Sequence, residues 1–66
     1  MALSYIVTLI PAGRSEPVQE RFAVESGNPD IDTDNILDRL EMEEGAEVIH
    51  IRWSTGETIY TAPGID

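Results

Sequence analysis

Apolar and polar positions alternate along the chain in a way that marks out five elements. Leu3 to Ile10 is β-branched and aromatic and ends at Pro11, which reads as a strand. Tyr5, Val7 and Leu9 take one face, and Ile6, Thr8 and Ile10 take the other. Both faces are largely apolar, as in a central strand. "PAGRSEP" is turn material. "VQERFAVES" then alternates: Val18, Phe22 and Val24 share a face with Glu20, while Gln19, Arg21, Ala23 and Glu25 take the other. It reads as a second strand, antiparallel to the first.

"SGNPD" interrupts the pattern, and the period then changes from two to that of a helix. Ile36, Leu37 and Leu40 form an apolar stripe that predicts a helix from Thr33 to Glu43, with Asp32 or Thr33 as N-cap and Gly45 as the stop after the last turn. "AEVIHIRWSTGETIYTA" is a hairpin: strands Val48 to Trp53 and Glu57 to Ala62 flank Thr55-Gly56. A two-residue loop sets Trp53 opposite Thr58 and Ile51 opposite Tyr60. Ile49, Ile51, Trp53 and Tyr60 are then expected on the face that packs the helix, and Val48, His50, Arg52, Ile59 and Thr61 on the other. The order is ββαββ, and the fold class is α+β: one four-stranded antiparallel sheet with one helix packed on one face.

Length sharpens this picture. With 66 residues the chain forms a single small domain, residues 1–66, and a domain this small has little core to spare. There is no cysteine, so disulfides and thiolate metal sites are excluded. No apolar run approaches the ~20 residues that cross a bilayer. The apolar N-terminal run has no basic segment before it and reads as a strand, not a signal peptide. A cytoplasmic location is expected.

Charge is the most uneven property of the chain. Thirteen acids oppose four arginines, with no lysine, for a net charge of −9. Residues 25–47 hold nine of the acids and one arginine, so nearly all the net charge lies in the middle third. Like charges so close repel one another. Direct binding of DNA, RNA or an anionic membrane is disfavoured, because those partners require basic surfaces. Glu43 and Glu44 lie near a predicted helix C-terminus, where the helix dipole disfavours carboxylates. A broken local rule of this kind points to another use for the acids.

Three readings of "PDIDTDNILDRLEMEEG" follow. The first is a calcium loop over 30–41. Asp30, Asp32, Asp34, Asp38 and Glu41 match the acidic spacing of an EF-hand, with Leu37 at the aliphatic position and Asn35 where glycine is expected. The entering helix is missing, and the ligands would consume the one predicted helix. The second is an acidic surface. On a helix Asp34, Asp38 and Glu41 form one stripe, extended by Asp30, Asp32, Glu43, Glu44 and Glu47. Its axial steps of roughly 4.5 to 6 Å can imitate a row of phosphates. The third is a solvated helix face in an adaptor or assembly module that binds through a sheet face or edge strand.

Other chemistry is thinly represented. His50 is the only histidine and has no companion for a metal set. The serines lie in no nucleophile motif, and there is no glycine-rich phosphate loop. No catalytic residue, metal or cofactor is expected, nor is an enzymatic activity. Glu20, on the apolar face of its strand, reads as an edge-strand acid that guards against aggregation. Trp53 and Tyr60 read as core.

A β-hairpin, an acidic helix and a second hairpin, carried by "SYIVTLI", "VQERFAVES", "DIDTDNILDRLEMEEG" and "EVIHIRWSTGETIYTA", resemble the small phage-encoded anti-CRISPR and other DNA-mimic inhibitors. The resemblance is one of architecture and charge over the whole chain, without a signature motif. It implies a non-enzymatic inhibitor in a host-cell cytoplasm. Its implied partner is a protein with a basic nucleic-acid-binding groove, such as a CRISPR effector complex or a nuclease, which it would occlude.

Overall fold

A computed structural model describes residues 3–64. Four strands and one helical segment follow in the order β1 (Ser4–Ile10), β2 (Val18–Ala23), α1 (Pro29–Leu37), a π-helical continuation (Asp38–Glu43), β3 (Glu47–Trp53) and β4 (Thr58–Thr61). The strands form one antiparallel sheet in the order β2-β1-β3-β4, with the helical segment packed on it. This is the expected α+β fold, with β1 inside the sheet and β2 and β4 at its edges.

The core lies between the sheet and the helical segment. Tyr5, Val7 and Leu9 of β1, Val48 and Ile51 of β3, and Ile36, Leu40 and Ala46 are buried together. Phe22, Tyr5 and Trp53 fall in one cross-strand row, and the Tyr5 and Trp53 rings stack with centroids 4.7 Å apart. Such a pair contributes about 0.5–1.5 kcal/mol beyond the area it buries.

Two β-bulges correct the expected faces of the second hairpin. The β1–β3 register moves from Thr8↔His50 to Leu9↔Val48, so Ile49 is the extra residue. Val48 thereby turns into the core, fully buried, while Ile49 is half-buried outside the core cluster. The β3–β4 register moves from Ile51↔Tyr60 to Arg52↔Thr58, which makes Ile59 the extra residue and packs it against the core. Thr58 therefore lies opposite Arg52, and Trp53 bonds across the turn to Glu57, its N–H donating to the Glu57 carbonyl at 2.8 Å. Strict alternation cannot anticipate an inserted residue, because one extra residue exchanges the faces beyond it.

The helix starts earlier than Thr33. Asn28 is the N-cap, with its side-chain oxygen accepting from the Asp30 N–H at 3.0 Å, and Pro29 occupies the first helical position. Proline is favoured there because its missing N–H would have no helical partner. At the far end Gly45 adopts φ +73°, and the Ala46 N–H donates to the Leu40 carbonyl at 2.8 Å, closing the last turn.

Candidate functional site

The acidic segment is the strongest functional candidate in the chain, and the fold divides its carboxylates into three groups. Asp30, Asp34, Asp38, Glu43, Glu44 and Glu47 are exposed. Among the described residues the single ion pair is Arg39 Nε to Glu44 Oε2 at 4.0 Å, between well-exposed side chains. A pair so exposed contributes little, so the segment keeps its negative field.

Asp32 belongs to a second group and leaves the predicted surface altogether. It is 3% exposed. The Tyr5 hydroxyl donates to its Oδ2, and the Ser26 N–H and Oγ–H donate to its Oδ1 at 3.0 and 2.8 Å. This carboxylate ties the first helical turn to β1 and to the turn after β2. The Tyr5 hydrogen bond holds the Asp32 carboxyl below its ordinary range, with help from Ser26 and against the opposing effect of burial. Burial, followed by the bond to Asp32, pushes the Tyr5 hydroxyl up to about 12. Nothing in the local pattern of acids separates Asp32 from Asp30 or Asp34, since it is the contacts with Tyr5, 27 positions away, and with Ser26 that make it structural.

Glu41 forms the third group. It is exposed, but its Oε2 accepts a hydrogen bond from the Val48 backbone N–H at 3.2 Å. The predicted single stripe of Asp34, Asp38 and Glu41 is therefore split. The π-helical turn over Asp38–Glu43, seen in the Glu44 N–H donating to the Arg39 carbonyl five residues back, shifts the phase of the side chains. Glu41 reaches toward β3, while Asp38 and Glu43 line a groove on the β2 side.

That groove has a volume of about 260 Å³, with Phe22, Ala23 and Ile36 as its apolar lining and Glu25, Asp38, Glu43 and the buried Asp32 as its acids. It exists because the helical segment packs toward β3 and β4. Val18, Glu20 and Phe22 share the helix-facing side of β2 with the β1 core residues opposite them, yet Val18 and Glu20 remain exposed.

The calcium reading is corrected by the same geometry. Residues 29–43 are helical, so Asp30 and Glu41 stand about 16 Å apart along the axis and cannot share an ion. No group of three or more ligand-type side chains is placed to hold a metal among the described residues.

The opposite face of the sheet differs in sign. Arg21 and Arg52 flank Ile6 in one cross-strand row, and Ile6 is only 9% exposed although no helix covers it. The Arg21 Nη1 donates to Ser4 Oγ at 2.8 Å, and His50 Nε2 lies 3.1 Å from Thr58 Oγ1. Ile59, expected on this face, is absent from it because of the β4 bulge. Among the described residues no helix is long and apolar enough to cross a membrane. No family model, curated protein or solved structure matches the chain.

Proposed function

We propose that this protein is a non-enzymatic inhibitor that covers a basic nucleic-acid-binding surface on another protein, as an anti-CRISPR or similar anti-defence protein would. One observation carries the reading: Asp30, Asp34, Asp38, Glu43, Glu44 and Glu47 stand exposed on one continuous segment, with a single weak ion pair to them among the described residues. Long-range attraction by such a field speeds the encounter with a groove lined by arginine and lysine, and salt weakens it. Occlusion requires no chemistry from the inhibitor. A partner of this kind, such as a CRISPR effector complex or a nuclease, would meet it in the cytoplasm.

The test is affinity capture from a lysate at low and high salt, with duplex DNA as competitor. The wild-type chain is expected to retain a nucleic-acid-handling complex at low salt and to lose it to DNA. A variant carrying Asp30→Lys, Asp34→Lys and Glu44→Lys is expected to retain none. These positions are exposed, and among the described residues their side chains support the fold only through the weak Arg39–Glu44 pair and, at Asp30, the first-turn position that the helix dipole favours. Equal capture by the variant, or indifference to DNA, defeats the reading.

A second reading, an adaptor that binds through the open sheet face, is favoured by the Arg21–Ile6–Arg52 row. Under it the triple reversal is silent, and Arg21→Glu with Arg52→Glu abolishes capture.

A further inference from the structure

We infer that the free edge of β2, together with the groove beside it, takes up an extended basic segment of a partner chain as a fifth strand. The inference rests on the reading of a basic partner and says which part of that partner is held and how.

Three observations carry it. First, β2 ends the sheet, and Val18 to Arg21 and Ala23 are exposed, so one row of its backbone groups is open for pairing. Second, the groove lies against this edge, lined by the Phe22 ring and Ile36. A strand added at an edge gains affinity from main-chain hydrogen bonds and specificity from pockets for alternate side chains. Third, the charge along the ledge is patterned. On the helix-facing side Glu20 precedes Phe22, and beyond Phe22 the groove presents the exposed acids Glu25, Asp38 and Glu43, with Asp32 buried in its wall and Arg39 as its one cation.

Cross-strand pairing converts that ledge into a sequence. Directly opposite residues share a face and interact most strongly. An apolar side chain opposite Phe22 enters the groove. Arginine or lysine two residues to either side meets Glu20 on one flank and the Glu25, Asp38 and Glu43 carboxylates on the other. The residue opposite Arg21 points to the open face and must be polar or acidic. The occupant is therefore basic, polar, apolar, polar, basic, a pattern that fits in either strand direction.

A second copy of this chain is a poor occupant. A two-fold axis through the middle of β2 sets Glu20 against Glu20 or Arg21 against Arg21, and like charges directly opposite are unfavourable. The edge thus repels its own kind while matching a basic strand.

The experiment uses the isotope-labelled full chain and a blocked peptide, Thr-Arg-Thr-Val-Thr-Arg-Thr. Binding is expected to move the NMR signals of Phe22 and Ile36 and to slow amide exchange along Gln19–Ala23. Replacing both peptide arginines with glutamate is expected to weaken binding about tenfold or more. Glu20→Lys with Glu25→Lys is expected to reverse the preference between the two peptides. The inference fails if β2 amides gain no protection at saturating peptide, or if the shifts fall on the outer residues Asp30, Asp34 and Glu44 or on Arg21 and Arg52. It also fails if the charge swap leaves the preference unchanged. Loss of capture in the Asp30, Asp34, Glu44 reversal with no peptide at β2 retains the occlusion reading and removes only this one. A peptide seated at β2 with capture unaffected by that reversal removes the occlusion surface instead.

Discussion

The two ends of the helical segment use the same side chain, a carboxylate, in opposite ways. At the N-terminal end Asp32 is buried, accepts three hydrogen bonds and sits where the helix dipole favours a negative charge. At the C-terminal end Glu41, Glu43 and Glu44 stand in solvent where the dipole opposes them, and Glu41 alone of these bonds a backbone N–H, that of Val48. One end is tied down by polar contacts. The other is anchored by Leu40 and closed by Gly45, and its acids stay available to the exterior. Acids kept at an unfavourable helix end, with little neutralisation, are the feature that an occluding surface requires and that packing alone does not.

The largest loss is expected at Leu40, which is 1% exposed on the inner side of the π-helical turn. Leu40→Ala is expected to lower stability by about 2–5 kcal/mol in denaturant titration. In a domain this small that is a large part of the total. Loss of less than about 1 kcal/mol would show that the C-terminal turn is not held by this anchor.

The N-terminal end is tested through Tyr5. Tyr5→Phe leaves a buried Asp32 without its strongest donor, a loss of about 1–3 kcal/mol, and pH separates it from a mere packing change. Because the Asp32 carboxyl is lowered in the fold, the stability it contributes is present above its unfolded pKa and disappears as pH falls through the folded value. Because the Tyr5 hydroxyl is raised from 10.0 to about 12, folding loses stability as pH climbs across that interval. Tyr5→Phe is expected to abolish the alkaline loss and to shrink the acid one. Melting curves at successive pH values that superimpose for the two proteins after a constant offset would contradict the pairing.

Glu41 gives a smaller effect. Glu41→Ala removes the acceptor for Val48 N–H at a cost of about 1 kcal/mol, whereas Glu41→Gln keeps an acceptor and removes a charge from the wrong end of a dipole, for a change within about 0.5 kcal/mol. Equal losses in both variants would assign the interaction to charge and not to the hydrogen bond. The smallest effect belongs to Thr33, whose buried Oγ1 has no hydrogen-bond partner among the described residues. Thr33→Val is expected to leave the melting temperature unchanged or to raise it slightly, and a clear fall would reveal a partner for the hydroxyl.

Much of this was legible in the residues. The period of two in Tyr5, Val7 and Leu9, the change of period at Ile36 and Leu40, the glycine after the last turn and the Thr55-Gly56 turn all act locally, and each marks its element. The helix start was legible too in Asn28-Pro29, but the run of acids drew the expected cap to Asp32 or Thr33. What was hidden lay in contacts between distant positions. Val48 and Ile59 reach the core through bulges that alternation does not encode, and Glu41 is drawn away from its stripe by an N–H on β3.

The order of elements, the apolar faces of β1 and the confinement of charge to residues 25–47 follow from the residues alone, because they depend on propensity, periodicity and composition. Which carboxylates remain a surface depends on how the folded chain packs. Asp30, Asp32 and Asp34 are chemically alike and two residues apart, yet the middle one meets Tyr5 and Ser26 and is buried while its neighbours face water. A side chain's partner is set by the packing of the helix on the sheet, and that packing is a property of the whole chain.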